Sequence, residues 1–293
     1  MYIKNTKELF KKLNITKKTL TNRQKFLLKH KGFLILNRSK VMKSNLKAFQ
    51  EITSKLIKKE SFKGGWEGKE KFYKKGKYFE KGTDRLGNLI EKDLIFKKLI
   101  TIPEILAAAH EVIKGDIKIC GLNLRSPLRG KGNQHVHIDW KPRKNLKEKF
   151  AGIVCMIYLD KSTKKNGATR IVPSSHKKIG WPSQHINVNK IHKNEIRPEL
   201  KPGSIIIANL NLWHAGAENL NGKSRKMIML NIKRRSFPQL LNYKKYLSFK
   251  TKKGLNSVEK YLLAVRKQDK TQKSSSVGVG KYYIKDFGEE RAK

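Results

Sequence analysis

Apolar residues along this chain recur with two spacings, and caps, prolines and glycines mark where one gives way to the other. Residues 21–31 open on Thr21-x-x-Gln24, in which a hydroxyl and an amide three residues on can satisfy each other's backbone donors, and stop at Gly32. That predicts a helix, followed by a short strand over the apolar run 33–36. From Ser44 the residues Leu46, Phe49, Ile52 and Leu56 recur at three and four, an amphipathic helix to about Lys58. Thr101-Ile-Pro103 starts another, because proline in a first turn gives up an N–H that has no partner there, and Lys114-Gly115 ends it. Downstream the period falls to two. Residues 117–124 place Ile117, Ile119, Gly121 and Asn123 on one face and Lys118, Cys120, Leu122 and Leu124 on the other. Residues 151–159 are apolar at both parities, so both faces of that strand should be covered. Short strands are expected over 168–172 and 205–208, and a longer one over 225–232, with Arg225, Met227, Met229 and Asn231 sharing a face. A last helix is expected over 257–265.

These elements describe one mainly β domain with flanking helices over 21–240, between a basic segment at 1–20 and a basic, partly flexible extension at 241–293. Two stretches stay open. Residues 61–86, rich in Gly, Lys and aromatics, read equally as the rim of a binding site or as a loop packing on the outside of the sheet. Residues 267–281 read as a linker, and the tail after them has no assigned role.

At 293 residues the chain can bury roughly three quarters of its unfolded surface in a single core. Its charge is unusual: 68 Lys and Arg against 23 Asp and Glu, formally +45. Such a field attracts polyanions in a salt-dependent way. Yet 55 of the 68 are lysines spread along the whole chain, without interleaved aromatics, so no specific nucleic-acid function is expected. Cys120 and Cys155 lie in apolar runs without metal spacing and read as buried thiols. No apolar h-region and no run of eighteen apolar residues occur, so the expectation is a cytoplasmic protein without a membrane span.

Candidate chemistry centres on Gln134-His-Val-His137-Ile-Asp139-Trp140. If 135–140 is a strand, His137 and Asp139 leave the same face, an imidazole beside a carboxylate. A third ligand from afar would complete a two-His, one-carboxylate facial set with open positions, and His214 is the best-placed candidate. A rival set, His135 with His137, would begin a cupin-type site, but the Glu such sites want about four residues on is absent. After Pro202-Gly203, the strand 205–208 is expected to run on to His214, with Asn221-Gly222 turning the chain back so that Arg225 lies beside it. A guanidinium there could grip the far carboxylate of a chelating dicarboxylate.

His137-x-Asp139, His214 and an arginine eleven residues later resemble the signature of the phytanoyl-CoA dioxygenase family. The run from Leu124 to Trp140 resembles the approach to the first motif in its bacterial members, and Asn166-Gly-Ala-Thr169 through Pro173-Ser-Ser-His176 resembles the family's N-G-x-T-x-x-x-P-x-S-H loop. The similarity runs from about Thr21 to about Arg235. It implies a double-stranded β-helix (jelly-roll) core. It also implies Fe(II) held by His137, Asp139 and His214, 2-oxoglutarate held by Arg225, and O2 used to hydroxylate an unactivated C–H bond with release of succinate and CO2. Related halogenases lack the carboxylate, so Asp139 favours hydroxylation. Asn123 is a further candidate for the co-substrate, with Arg125 in similar standing, and Trp140 is either pocket wall or core. His135 is placed at the rim, His176 is taken as a structural hydrogen-bonder, and His185 and His192 have no partner at ligand spacing. The substrate is expected to be a small molecule, and the basic surface favours an anionic one. Rival readings are a cupin-type metalloenzyme, a non-catalytic jelly-roll binding module and, behind them, a basic nucleic-acid-binding protein.

Overall fold

The computed structural model describes residues 2–37, 39–60 and 82–270; the 61–81 part of the aromatic-rich stretch, the 271–281 part of the linker and the tail lie outside them. Alternation in the strands builds a six-stranded sheet of order β1-β6-β4-β8-β3-β2, antiparallel throughout. Its strands are β1 (Phe33–Leu36), β2 (Thr83–Leu86), β3 (Ile117–Pro127), β4 (Gly152–Tyr158), β6 (Ile205–Asn209) and β8 (Met227–Arg234). A smaller sheet pairs β5 (Thr169–Ile171) with β7 (His214–Gly216). The core is a double-stranded β-helix, with helices against one face of the large sheet and the small sheet over the other.

The expected double burial of β4 has a simple cause. Ile153, Cys155 and Ile157 point into the helix layer with Ile228, Leu230 and Ile232 of β8, while Val154, Met156 and Tyr158 point between the sheets with Met227. Close packing of β4 on β8 also explains Gly152, where a Cβ would stand 2.1 Å from the Ile232 carbonyl oxygen. Both cysteines are buried and free.

The helices follow their caps. In Asn22–His30 the capping box forms as expected, Thr21 Oγ1 accepting from the Gln24 N–H at 3.2 Å and Gln24 Oε1 from the Thr21 N–H at 2.9 Å. Pro103–Ile113 ends at Lys114 in the left-handed region (φ 51°), and the helix expected over 44–58 spans Lys40–Glu60. The helix expected over 257–265 spans Ser257–Leu262, capped by Asn256. Among the described residues no helix is long and apolar enough to cross a membrane.

Four local expectations are corrected. Residues 135–140 form no ladder strand: they are extended backbone with one isolated bridge, at His137. The strand over 205–208 does not continue to His214, because Leu212 N–H turns back to Asn209 O and starts a new strand in the other sheet. No hairpin joins β7 to β8, since β8 pairs with β3 and β4. In β3 a register shift between Ile119 and Gly121 reverses the parity, so Ile117, Ile119, Leu122 and Leu124 all face the helix layer, as a one-residue bulge requires.

Residues 6–12 and 241–269 join the same core. Thr6–Lys12 is a helix whose Leu9 is fully buried, and Thr6 N–H donates to Asp116 Oδ1 at 2.7 Å. Residues 241–263 contribute Leu241, Tyr243, Leu247, Tyr261 and Leu262 to it, and Arg235 and Arg266 close on Asp269.

Candidate metal centre

His137 and His214 face each other across the one bridge that the 134–139 segment makes. His137 N–H donates to His214 O at 2.9 Å and His214 N–H returns to His137 O at 3.0 Å. An antiparallel pair that exchanges both bonds puts its two side chains on one face. The imidazole centroids lie 4.5 Å apart. Asp139, two residues on and so on the same side, has its N–H fixed by Leu210 O at 2.8 Å. Its carboxylate oxygens reach 3.7 Å from His137 Nε2 and 3.6 Å from His214 Nε2. One donor atom from each residue lies within 4.8 Å of the other two.

Tautomers in this cluster are set by the backbone. His137 Nδ1 lies 2.9 Å from His135 O and His214 Nδ1 lies 2.9 Å from Leu212 O. A carbonyl only accepts, so each Nδ1 carries the proton and each Nε2 presents a lone pair to the centre. The same device, a bond to the carbonyl two residues upstream, orients both rings. Facial ligands at about 2.1 Å from a metal stand about 3 Å apart, so the carboxylate of Asp139, 3.7 and 3.6 Å from the two Nε2 atoms, would draw in as a metal binds. The donor set fits a divalent transition metal. His135 supplies its backbone carbonyl and is not part of the cluster, which leaves the cupin-type pair without support.

The resembling N-G-x-T and P-x-S-H loop is the scaffold of this centre. Asn166 accepts the Thr163 N–H at 2.7 Å and donates to Lys161 O at 2.8 Å, and Gly167, at φ +91°, leaves room for the Ala217 carbonyl. Thr169 then meets the Tyr158 hydroxyl at 2.6 Å. Ser175 Oγ accepts the Trp213 N–H at 2.8 Å, fixing the residue before His214. His176 donates from Nε2 to Lys29 O, and burial pushes its pKa down to about 4, so it is a neutral structural bridge.

Arg225 lines the same cavity as the three donor residues and is fully buried. Burial lowers its pKa to about 10, opposed by the neighbouring Tyr158, whose own phenol is raised by burial. Nη1 approaches Met227 Sδ at 3.6 Å, while Nε and Nη2 are buried without a hydrogen-bond acceptor among the described residues. An arginine so buried, with donors left over, is built to receive an anion. Met227, Met229 and Asn231 line the cavity as their parity predicted, and Asn123 and Arg125 line it from β3. Arg85 of β2 joins them, a residue the sequence did not single out. Trp140 is not in the wall: it stacks on Phe237 at 5.3 Å and under Lys233 Nζ at 4.0 Å. His185 is exposed and His192 half-buried, and both lie outside the cluster.

Two imidazoles and a carboxylate converge in one cavity with a buried arginine, a donor set of the kind that binds a divalent transition metal. The chain belongs to the phytanoyl-CoA dioxygenase family, whose model matches residues 29–227. An uncharacterized protein of Mycobacterium tuberculosis is 31% identical over 94 residues, 32% of this chain and 33% of that protein. The dioxygenase trt7 of Aspergillus terreus is 25% identical over 159 residues, 51% of this chain and 54% of that enzyme. The chain thus spans between a third and about half the length of these relatives. Among solved structures, HygX from Streptomyces hygroscopicus, with nickel and 2-oxoglutarate bound, shares the fold at a TM-score of 0.57 and 15% identity, over 75% of this chain and 89% of that one. SnoK, a non-heme alpha-ketoglutarate-dependent carbocyclase from nogalamycin biosynthesis, does so at 0.57 and 13%, over 74% and 85%.

Proposed function

We propose that this chain is a Fe(II)- and 2-oxoglutarate-dependent dioxygenase that hydroxylates a C–H bond of a small-molecule substrate. The observation that carries it is the convergence of His137 Nε2, His214 Nε2 and an Asp139 carboxylate oxygen in one cavity with a buried arginine whose Nε and Nη2 have no acceptor. HygX, with the same fold, binds nickel and 2-oxoglutarate, and that pairing is what the donor set and Arg225 would hold here.

When bound, the ferrous ion and 2-oxoglutarate supply the oxidising chemistry, in which O2 decarboxylates the keto acid to succinate and CO2 and one oxygen atom enters the substrate. The protein's part is positional. The carbonyls of His135 and Leu212 hold the imidazoles with Nε2 inward, and the carboxylate of Asp139 takes a place that would otherwise be open to an exogenous anion. That occupancy directs the outcome to hydroxylation. Arg225 offers a planar fork to the distal carboxylate, in a site dry enough that the charge is worth far more than in water. Met227, Met229 and Val154 line the remaining wall with groups that give up no proton.

Thermal unfolding without oxygen, with Fe(II) and 2-oxoglutarate added separately and together, tests the reading. At about one hundred times its dissociation constant a ligand stabilises by about 2.7 kcal/mol. 2-Oxoglutarate is expected to stabilise only the metal-loaded protein, and indifference to the pair together would end the proposal.

A further inference from the structure

Each imidazole of the metal centre is oriented by a bond from its Nδ1 to a backbone carbonyl, but Asp139 has no such fastening. Its carboxylate makes no hydrogen bond among the described residues and lies 3.7 and 3.6 Å from the two Nε2 atoms. What places it is its backbone. The Asp139 N–H donates to Leu210 O at 2.8 Å and, two residues on, Lys141 O accepts from Asn211 Nδ2 at 2.9 Å. Residue 140 stands between these two bonds, so whatever holds Trp140 also directs the carboxylate.

The Trp140 indole stacks on Phe237, with ring planes 29° from parallel, and Lys233 Nζ lies 4.0 Å from its centroid. Lysine is a costly residue for that place. Lys233 is 1% exposed, and its Nζ has no hydrogen-bond acceptor among the described residues. Burying an ammonium without an acceptor is destabilising, and the negative face of the indole is the group that meets it. In β8 Lys233 alternates in phase with Met227, Met229 and Asn231, so it leaves the strand on their side, just beyond the cavity wall they form. Burial lowers its pKa, while Cys120 and Asp139 act to raise it, so the carboxylate lies within reach of its charge.

We propose that Lys233 is a positioning residue for the metal centre: by holding the Trp140 ring it fixes the backbone at residue 139 and so the direction of the Asp139 carboxylate. The clamp does for the carboxylate what the carbonyls of His135 and Leu212 do for the two imidazoles. A cation is what the place requires, since an aliphatic side chain would pack against the indole without being drawn to its face. This inference rests on the metal-dependent reading above.

The test is calorimetric titration of the full chain with Ni(II), which binds imidazole tightly enough for two histidines alone to retain it. Lys233→Met is expected to weaken Ni(II) about tenfold, as loss of a group that orients a ligand does, in protein that still unfolds cooperatively. Lys233→Arg keeps a cation over the indole and should stay within about twofold of the wild type. Trp140→Leu removes the clamp from its other side and should match Lys233→Met; it takes that variant's place if Lys233→Met does not fold. In an Asp139→Ala background neither change should weaken Ni(II) further, because no carboxylate is left to direct. A charge acting alone gives the opposite sign: an ammonium repels a divalent ion, so its removal would tighten binding. Unchanged or tighter binding in Lys233→Met and Trp140→Leu, or a loss that persists undiminished in the Asp139→Ala background, refutes the clamp. Wild-type protein whose Ni(II) affinity does not depend on His137 and His214 defeats the metal centre, and the clamp with it; where that dependence holds, either preceding result defeats the clamp alone.

Discussion

Replacing Arg225 with methionine separates what the residue costs the fold from what it gives the site. Its guanidinium is fully buried, and burial brings its pKa down from the ordinary arginine range to about 10. At about 1.4 kcal/mol per decade of proton affinity, that amounts to ~3 kcal/mol set against the charged form in the folded protein. The penalty is present in full near neutral pH, since Arg225 is protonated there in both folded and unfolded chains. Methionine is unbranched and of similar reach, and would lie beside Met227 without a charge. Offsetting the contacts Arg225 makes with Met227 Sδ and Tyr158, Arg225→Met is expected to stabilise the ligand-free protein by about 1–3 kcal/mol, or several degrees in Tm at about 2–4 °C per kcal/mol. The same change should remove the bidentate grip on 2-oxoglutarate. At the concentration that stabilises the wild type by about 2.7 kcal/mol, a hundredfold loss of affinity leaves ~0.4 kcal/mol. Anaerobic thermal unfolding with Fe(II), across a 2-oxoglutarate series, measures both effects in one experiment. A variant less stable than the wild type without ligand, or one that keeps the full response to 2-oxoglutarate, refutes the reasoning.

Further expectations follow from single contacts. Asp139→Ala should abolish 2-oxoglutarate-dependent succinate release, and full activity in that variant would remove the residue from the ligand set. His176 is neutral in the fold, with a pKa of about 4 against 6.5 in the unfolded chain, so its contribution is complete above pH 6.5 and declines as pH falls to 4, by ~3 kcal/mol in all. Urea unfolding across that window should show the slope in the wild type, and His176→Phe should flatten it. Gly152→Ala would set a methyl 2.1 Å from Ile232 O across the β4–β8 ladder, where neither backbone can yield, and should destabilise by about 1–3 kcal/mol in chemical denaturation. Thr21→Ala removes the hydroxyl that caps Asn22–His30 and should cost about 1 kcal/mol by the same assay.

What could be read from spacing was local, and the family resemblance added the jelly-roll core and brought His214 and Arg225 to His137 and Asp139. The caps at Thr21 and Lys114, the two-faced burial of β4 and the face shared by Arg225, Met227, Met229 and Asn231 each follow from spacing within one segment. What could not be read depended on partners far along the chain. The bulge at Cys120 leaves no mark in residue type, yet it exchanges the two faces of β3. His137 and Asp139 needed no ladder, because one bridge to His214 aligns the imidazoles, and that bridge joins segments 77 residues apart. Arg85 ends a Lys-rich run without any signal of its own; its place on the cavity comes from the pairing of β2 with β3. The helix Thr6–Lys12 was hidden by its lysines, although Asn5 caps it and Leu9 is fully buried.

Equilibrium dialysis against Fe(II) under nitrogen, with 2-oxoglutarate present and the metal counted per chain, bears most directly on the central claim. One tightly held ion in the wild type, and none in His137→Ala or His214→Ala protein that still unfolds cooperatively, is the predicted result. Equal metal retention in all three proteins would contradict it.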